Sequence, residues 1–161
     1  MDVSCFKAYD LRGRVPDQLN PELAERIGRA YVELTSARRV VVGYDIRLSS
    51  PEIAEALTTG LRAAGADVYD IGLCGTEQIY FATSHYSMDG GIMVTASHNP
   101  KDHNGMKLVG RESRPISSDN VTESLSRLWM LPFPGAWKAC QWRPTISITC
   151  WDTSTAPRLA L

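Results

Sequence analysis

Along most of the chain, apolar and polar positions switch between two periods. Leu23, Ile27, Ala30, Tyr31 and Leu34 recur at helical spacing behind Asn20-Pro21, a capping residue followed by proline at the first helical position. Val40-Val41-Val42-Gly43-Tyr44 is a continuous apolar run, the pattern of a strand covered on both faces. Ser50-Pro51 opens a second helix by the same capping logic, with Ile53, Leu57, Leu61 and Ala64 inward and Gly65 as its stop. Asp67 to Gly72 reads as a third strand, and Thr76 to Tyr86 as a helix with Ile79, Ala82, Thr83 and Tyr86 on one side. Ile92-Met93-Val94 is another buried strand, and Met106 to Val109 a short further one. Strand–helix–strand alternation of this length implies right-handed crossovers. The expected fold is α/β: a three-layer α/β/α sandwich with a mostly parallel, mixed sheet, forming a single domain with an irregular C-terminal tail.

Composition narrows the function classes. The chain has 161 residues, 43% hydrophobic and 22% charged, which is enough for one domain with a proper core. A net charge of −1 gives no electrostatic case for nucleic acid or a membrane surface. No apolar stretch approaches the length of a transmembrane helix, and MDVSCFKAYD is not a secretion signal. Cys5, Cys74, Cys140 and Cys150 form no CxxC pair, so free thiols in the cytoplasm are expected.

The candidate chemistry lies where the Ile92–Val94 run ends, in Thr95-Ala96-Ser97-His98-Asn99-Pro100. A serine at the carboxyl end of a buried strand sits where open α/β sheets hold their ligands. Pro100 keeps Asn99 out of helical geometry, and Asn104-Gly105 reads as a second tight turn. His98 is adjacent to Ser97, although neighbouring side chains often diverge; Lys107 returns close by with positive charge. Backbone amides and short polar side chains in such a turn make an anion-binding concavity, so the residues suggest phosphoryl rather than acyl transfer. No GxSxG elbow is present. The competing reading is an ordinary turn whose Thr, Ser and Asn bond the backbone. Arg12 competes in the same way between a phosphate ligand and a surface residue of an edge strand. Asp45 and Arg47 read as a local salt bridge, and His85 as a packing or surface residue. His98 and His103 lack further metal ligands, and His103 reads as solvated.

TASHNP followed by NGMKL resembles the serine loop of the α-D-phosphohexomutases, as do FKAYDLRG at residues 6–13, DIRLSS at 45–50 and GTEQIYF at 75–81. Four motifs in order place the resemblance in the phosphomannomutase/phosphoglucomutase branch. The resemblance implies an intramolecular phosphotransferase of the isomerase class, moving a phosphoryl group between the 1- and 6-hydroxyls of mannose or glucose. Ser97 would carry the phosphate. His98 and Lys107 would serve proton transfer or charge stabilisation, and Tyr9, Arg12, Asn99 and Asn104 would bind substrate or phosphate. It also implies Mg²⁺, held here only through the phosphate of Ser97, and a hexose 1,6-bisphosphate activator. The family's DGDxDR-type metal loop, sugar-selecting loop and phosphate-clamping domain are absent from this sequence. The resemblance therefore implies a first domain over residues 1–118, inactive alone.

The pattern changes near Ile116. All four tryptophans lie at or after Trp129, Asp152 is the only acidic residue after Glu123, and Gly135 the only glycine after Gly110. Pro132, Pro134, Pro144 and Pro157 interrupt every candidate element, although Ser118 to Leu131 reads as a helix. Residues 119–161 are expected to be an atypical tail, frameshifted near residues 120–128 or disordered, or else a partner-binding segment with aromatic anchors. Besides the mutase reading, a non-catalytic sugar-phosphate-binding module and a protein-interaction domain stay open.

Overall fold

The computed structural model describes residues 10–129 and 146–147. In chain order its elements are β1 (Asp10–Arg14), α1 (Pro21–Thr35), β2 (Arg39–Tyr44), α2 (Ser50–Ala63), β3 (Asp67–Leu73), α3 (Thr76–His85), β4 (Gly90–Val94), β5 (His103–Gly110), a 3-10 turn at Arg111–Ser113, α4 (Ser118–Trp129) and β6 (Ile146–Ser147). One sheet runs in the order β1-β5-β4-β2-β3-β6. β2 pairs in parallel with β3 and β4, β3 pairs in parallel with β6, and β5 lies antiparallel between β4 and β1. The mostly parallel, mixed sheet expected from the alternation is the one observed.

Helices cover both faces because consecutive strand residues point in opposite directions. Val40 and Val42 join Ile27, Ile53, Leu57, Ile92, Val94 and Met106 in the core beneath α1, α2 and α4. Val41, Met93 and Val109 pack with Ile79 and Ala82 of α3 on the other face. That double burial is why β2 and β4 read as unbroken apolar runs. Val121 of α4 is fully buried against the first core, so the core continues past residue 118. Asn20 caps α1 as expected, its Oδ1 accepting from the Leu23 amide at 2.9 Å. α1 and α2 cross so closely that a side chain on Gly60 would run into the Glu25 carbonyl.

Three local expectations are corrected. Asn104-Gly105 is not a turn but the interior of β5, paired with Gly13 and Arg12 of β1. Gly105 is needed there because a Cβ would collide with the Leu11 carbonyl. The reversal between β4 and β5 is made by residues 97–102 instead. Ser50 does not cap α2; it lies inside the first turn, buried, while Ser49 holds the cap position without a side-chain capping bond. Ala64, expected inward, is exposed at the end of α2, where Gly65 at φ +97° stops the helix. The tail beyond Trp129 lies outside the described residues except for β6, which meets Tyr69 and Asp70 of β3. Among the described residues, no helix is long and apolar enough to cross a membrane.

Candidate active site

The carboxyl ends of β2 and β4 deliver two polar segments side by side. The Asp45 amide donates to the Val94 carbonyl at 3.0 Å, so the chain leaving β2 is fixed to the end of β4. Its carboxylate then joins both segments. Oδ1 accepts from the Ser50 hydroxyl at 2.6 Å and from the Arg47 amide at 3.1 Å. Oδ2 accepts from the Thr95 hydroxyl at 2.7 Å, with Arg47 Nε at 3.3 Å. Thr95 Oγ1 in turn accepts from the Ser97 amide at 2.9 Å.

Ser97 itself sits at φ +53°, in the left-handed region that residues with a Cβ adopt rarely. Its Oγ lies 2.9 Å from Nδ1 of His98, so adjacency here does produce a Ser–His pair. His98 is exposed and Ser97 half-buried, leaving the hydroxyl reachable from solvent. The tautomer of His98 decides which atom of this pair donates. A neutral imidazole with a bare Nδ1 accepts the serine proton, which is what raises the nucleophilicity of a hydroxyl.

Arg47 supports the loop from the protein side. Its Nη2 donates to the carbonyls of Ser97 (2.9 Å) and Asn99 (2.7 Å), and its Nη1 to those of Pro100 (2.6 Å) and His103 (3.0 Å). Arg12 reaches the loop from β1, donating through Nη1 to the Ala96 carbonyl at 2.7 Å while pairing with Asp10 at 2.8 Å. Asn99 folds back, its amide nitrogen 3.1 Å from the Ala96 carbonyl. His103, expected to be solvated, is half-buried at the start of β5 with Nδ1 3.0 Å from Asp102. That hydrogen bond, helped by nearby Arg14, holds the Asp102 carboxyl below the ordinary range.

The expected site residues are only partly gathered. Ser97, His98, Asn99 and Arg12 converge on one loop. Asn104 does not face a ligand: it is fully buried, and its amide donates to the hydroxyls of Ser49 and Ser50 at 2.9 Å each. Lys107 stands on β5 opposite Asp10 and Met93. It lines a cavity of about 370 Å³ with Asp10, Tyr80, Val109 and Pro115, and no hydrogen bond joins it to Ser97 or His98 among the described residues. Tyr9 lies outside the described residues. His85 is exposed and stacked on Phe81 with ring centroids 4.7 Å apart, in keeping with its reading as a packing or surface residue.

Sequence reasoning missed what Asp45, Arg47 and Thr95 do. A salt bridge between Asp45 and Arg47 exists, but it is the smaller part of their role. A signal was present: an Asp two residues before an Arg, just past a buried strand, is the spacing at which a carboxylate bonds the backbone amide two residues on.

The described residues do not form a magnesium site. Mg²⁺ demands near-octahedral oxygen coordination. Among the described residues, no three His, Cys, Asp or Glu side chains gather to hold a metal ion. Asp45 is engaged by Ser50, Thr95 and Arg47, and Asp10 by Arg12.

Comparison with known proteins bears on the family and the fold. The model of the phosphoglucomutase/phosphomannomutase α/β/α domain I matches residues 3–128. A protein of Xanthomonas campestris pv. campestris named for phosphohexose mutases is 60% identical over 119 residues, covering 74% of this chain and 27% of its own length. The phosphomannomutase of Salmonella typhimurium is 56% identical over 126 residues, covering 78% of this chain and 28% of its own length. A crystal structure of a phosphoglucomutase/phosphomannomutase family protein from Burkholderia thailandensis superposes with a TM-score of 0.71 at 40% identity, over 78% of this chain and 30% of that one. The chain thus spans a little over a quarter of the length of these two curated relatives. It belongs to the phosphoglucomutase/phosphomannomutase family, by way of that family's α/β/α domain I.

Proposed function

We propose that this chain is the serine-bearing part of a phosphohexomutase acting on mannose or glucose phosphates in the cytoplasm. The observation that carries the reading is the Ser97 hydroxyl, presented in a left-handed turn with His98 Nδ1 at 2.9 Å. Phosphorylated Ser97 gives its phosphoryl group to the free hydroxyl of a hexose phosphate, breaking its own P–O bond and forming a hexose 1,6-bisphosphate. The bisphosphate then returns its other phosphoryl group to Ser97 Oγ, and a sugar hydroxyl leaves. His98 holds or releases the proton at the serine oxygen. Arg12 and Lys107 supply positive charge beside the equatorial phosphoryl oxygens, where charge is spread in the transition state. Asn99 helps orient the phosphate. The cavity lined by Lys107 falls within the size range of small-molecule sites.

The resemblance to the phosphohexomutases implies magnesium, but the described residues do not gather its donors. The chain is therefore expected to accept a phosphoryl group far more readily than it turns substrate over. The test is incubation with hexose 1,6-bisphosphate and millimolar Mg²⁺, followed by peptide mapping. Phosphate on Ser97 of the wild type and none on Ser97→Ala supports the reading. Phosphate on neither protein, or equally on both, refutes it. Steady conversion of mannose 6-phosphate to mannose 1-phosphate would show that the chain needs no donors beyond its own.

A further inference from the structure

We infer that Arg47 is a positioning residue for the phosphoryl-transfer step: it turns the carbonyls of the 97–103 loop toward itself and so holds Ser97 in the conformation that presents Oγ. For what the loop is used for, this rests on the mutase reading; for the geometry it does not.

One guanidinium group meets four carbonyls, those of Ser97, Asn99, Pro100 and His103, at 2.6 to 3.0 Å. These acceptors span the whole reversal between β4 and β5. Four donors in a planar fork fit four acceptors at fixed angles, which a lysine ammonium with three donors at one point does not. Charge-assisted bonds of this kind are roughly twice as strong as neutral ones. The guanidinium is oriented in turn by Asp45, which also fixes Thr95, the residue whose hydroxyl holds the Ser97 amide. Ser97 is thereby bound on both sides of its Cα, through its amide by Thr95 and through its carbonyl by Arg47. That double restraint is what keeps a residue with a Cβ at φ +53°. Arg47 touches no reacting atom. The flanking Ile46 and Leu48 are exposed, so the segment's contribution to the fold at this point is the arginine rather than apolar packing.

The test compares the wild-type chain with Arg47→Lys and Arg47→Met by amide-resolved NMR. In the wild type, the HN–Hα coupling and Cα shift of Ser97 report the left-handed conformation. The Asn99 and His103 amides, bonded to Ala96 and Pro100, are protected from exchange. In both variants the Ser97 signature is expected to disappear. Those two amides are expected to exchange about tenfold faster or more, with the β4 and β5 ladder amides unchanged. If Arg47→Met does not fold, Arg47→Lys alone decides. A Ser97 signature that persists in a folded variant overturns the inference.

Phosphoryl uptake from hexose 1,6-bisphosphate is read in parallel. Uptake on Ser97 should fall about a hundredfold in either variant, the scale expected when a reacting group is displaced by an ångström. Equal uptake in wild type and variants overturns the catalytic part. If the wild type takes up nothing, the mutase reading fails while the NMR comparison still decides the positioning role.

Discussion

The two ends of the sheet each carry an aspartate that bonds an arginine and joins neighbouring segments, and they use it differently. At the amino end, Asp89 accepts from the backbone amides of Arg38 and Arg39 at 2.9 and 3.0 Å and from Arg111 at 2.7 Å. Its partners are the entrance to β2 and the residue that follows β5. At the carboxyl end, Asp45 accepts from the hydroxyls of Ser50 and Thr95 and from Arg47. Of its partners, Thr95 leads into an irregular loop and Ser50 opens α2, and neither continues along a strand. A carboxylate that closes a regular ladder contributes stability alone. One that gathers hydroxyls and an arginine at a loop also sets where a reactive side chain stands.

The largest effect should follow from breaking the carboxyl end. Asp45→Ala leaves Arg47 and the Ser50 and Thr95 hydroxyls without their shared acceptor in a mostly enclosed place. Losing one partner of such a cluster is expected to cost about 3 kcal/mol, read from urea unfolding. Asp89→Asn keeps the shape and one acceptor oxygen, enough for the Arg38 and Arg39 amides, while the oxygen that accepts from Arg111 becomes an amide NH2, so a smaller loss of about 1 to 2 kcal/mol is expected. Phosphoryl uptake by that variant should match the wild type once both are folded.

The same pair separates by pH. Burial alone would raise the Asp89 carboxyl, but the bonds from Arg38, Arg39 and Arg111 outweigh it and hold the group below the ordinary carboxylate range. A carboxyl depressed in the folded state contributes stability that is present above the unfolded-state value near pH 4 and is lost as pH falls through the folded-state value. The acid limb of a stability–pH curve should therefore flatten in Asp89→Asn. The smallest effect is expected from Arg111→Ala. Its side chain is 78% exposed, and an ion pair at such a site contributes about 0.5 kcal/mol or less.

The sequence carried the layers of this fold because they depend on period. Double burial of β2 and β4 produced runs such as Val40-Val41-Val42, and the Asn20-Pro21 cap marked where α1 begins. It carried Ser97 and His98 because a polar run at the end of a buried strand is itself a signal. It misplaced Asn104-Gly105, since the pair that favours a tight turn was needed here for another purpose. Gly105 admits the β1 backbone, and Asn104 bonds two serines beneath the loop. The role of Arg47 was not legible, because its four acceptors are backbone carbonyls 50 or more residues away and carry no sequence mark.

The most direct test sets phosphoryl uptake at Ser97 against unfolding free energy for Asp45→Asn and Asp89→Asn, under conditions where both are folded. If both ends of the sheet contribute stability but only the carboxyl end sets where Ser97 stands, Asp45→Asn loses uptake about a hundredfold while Asp89→Asn keeps the wild-type rate. Uptake that falls in both variants in proportion to their lost stability would contradict that division and reduce the Asp45–Arg47 cluster to scaffolding.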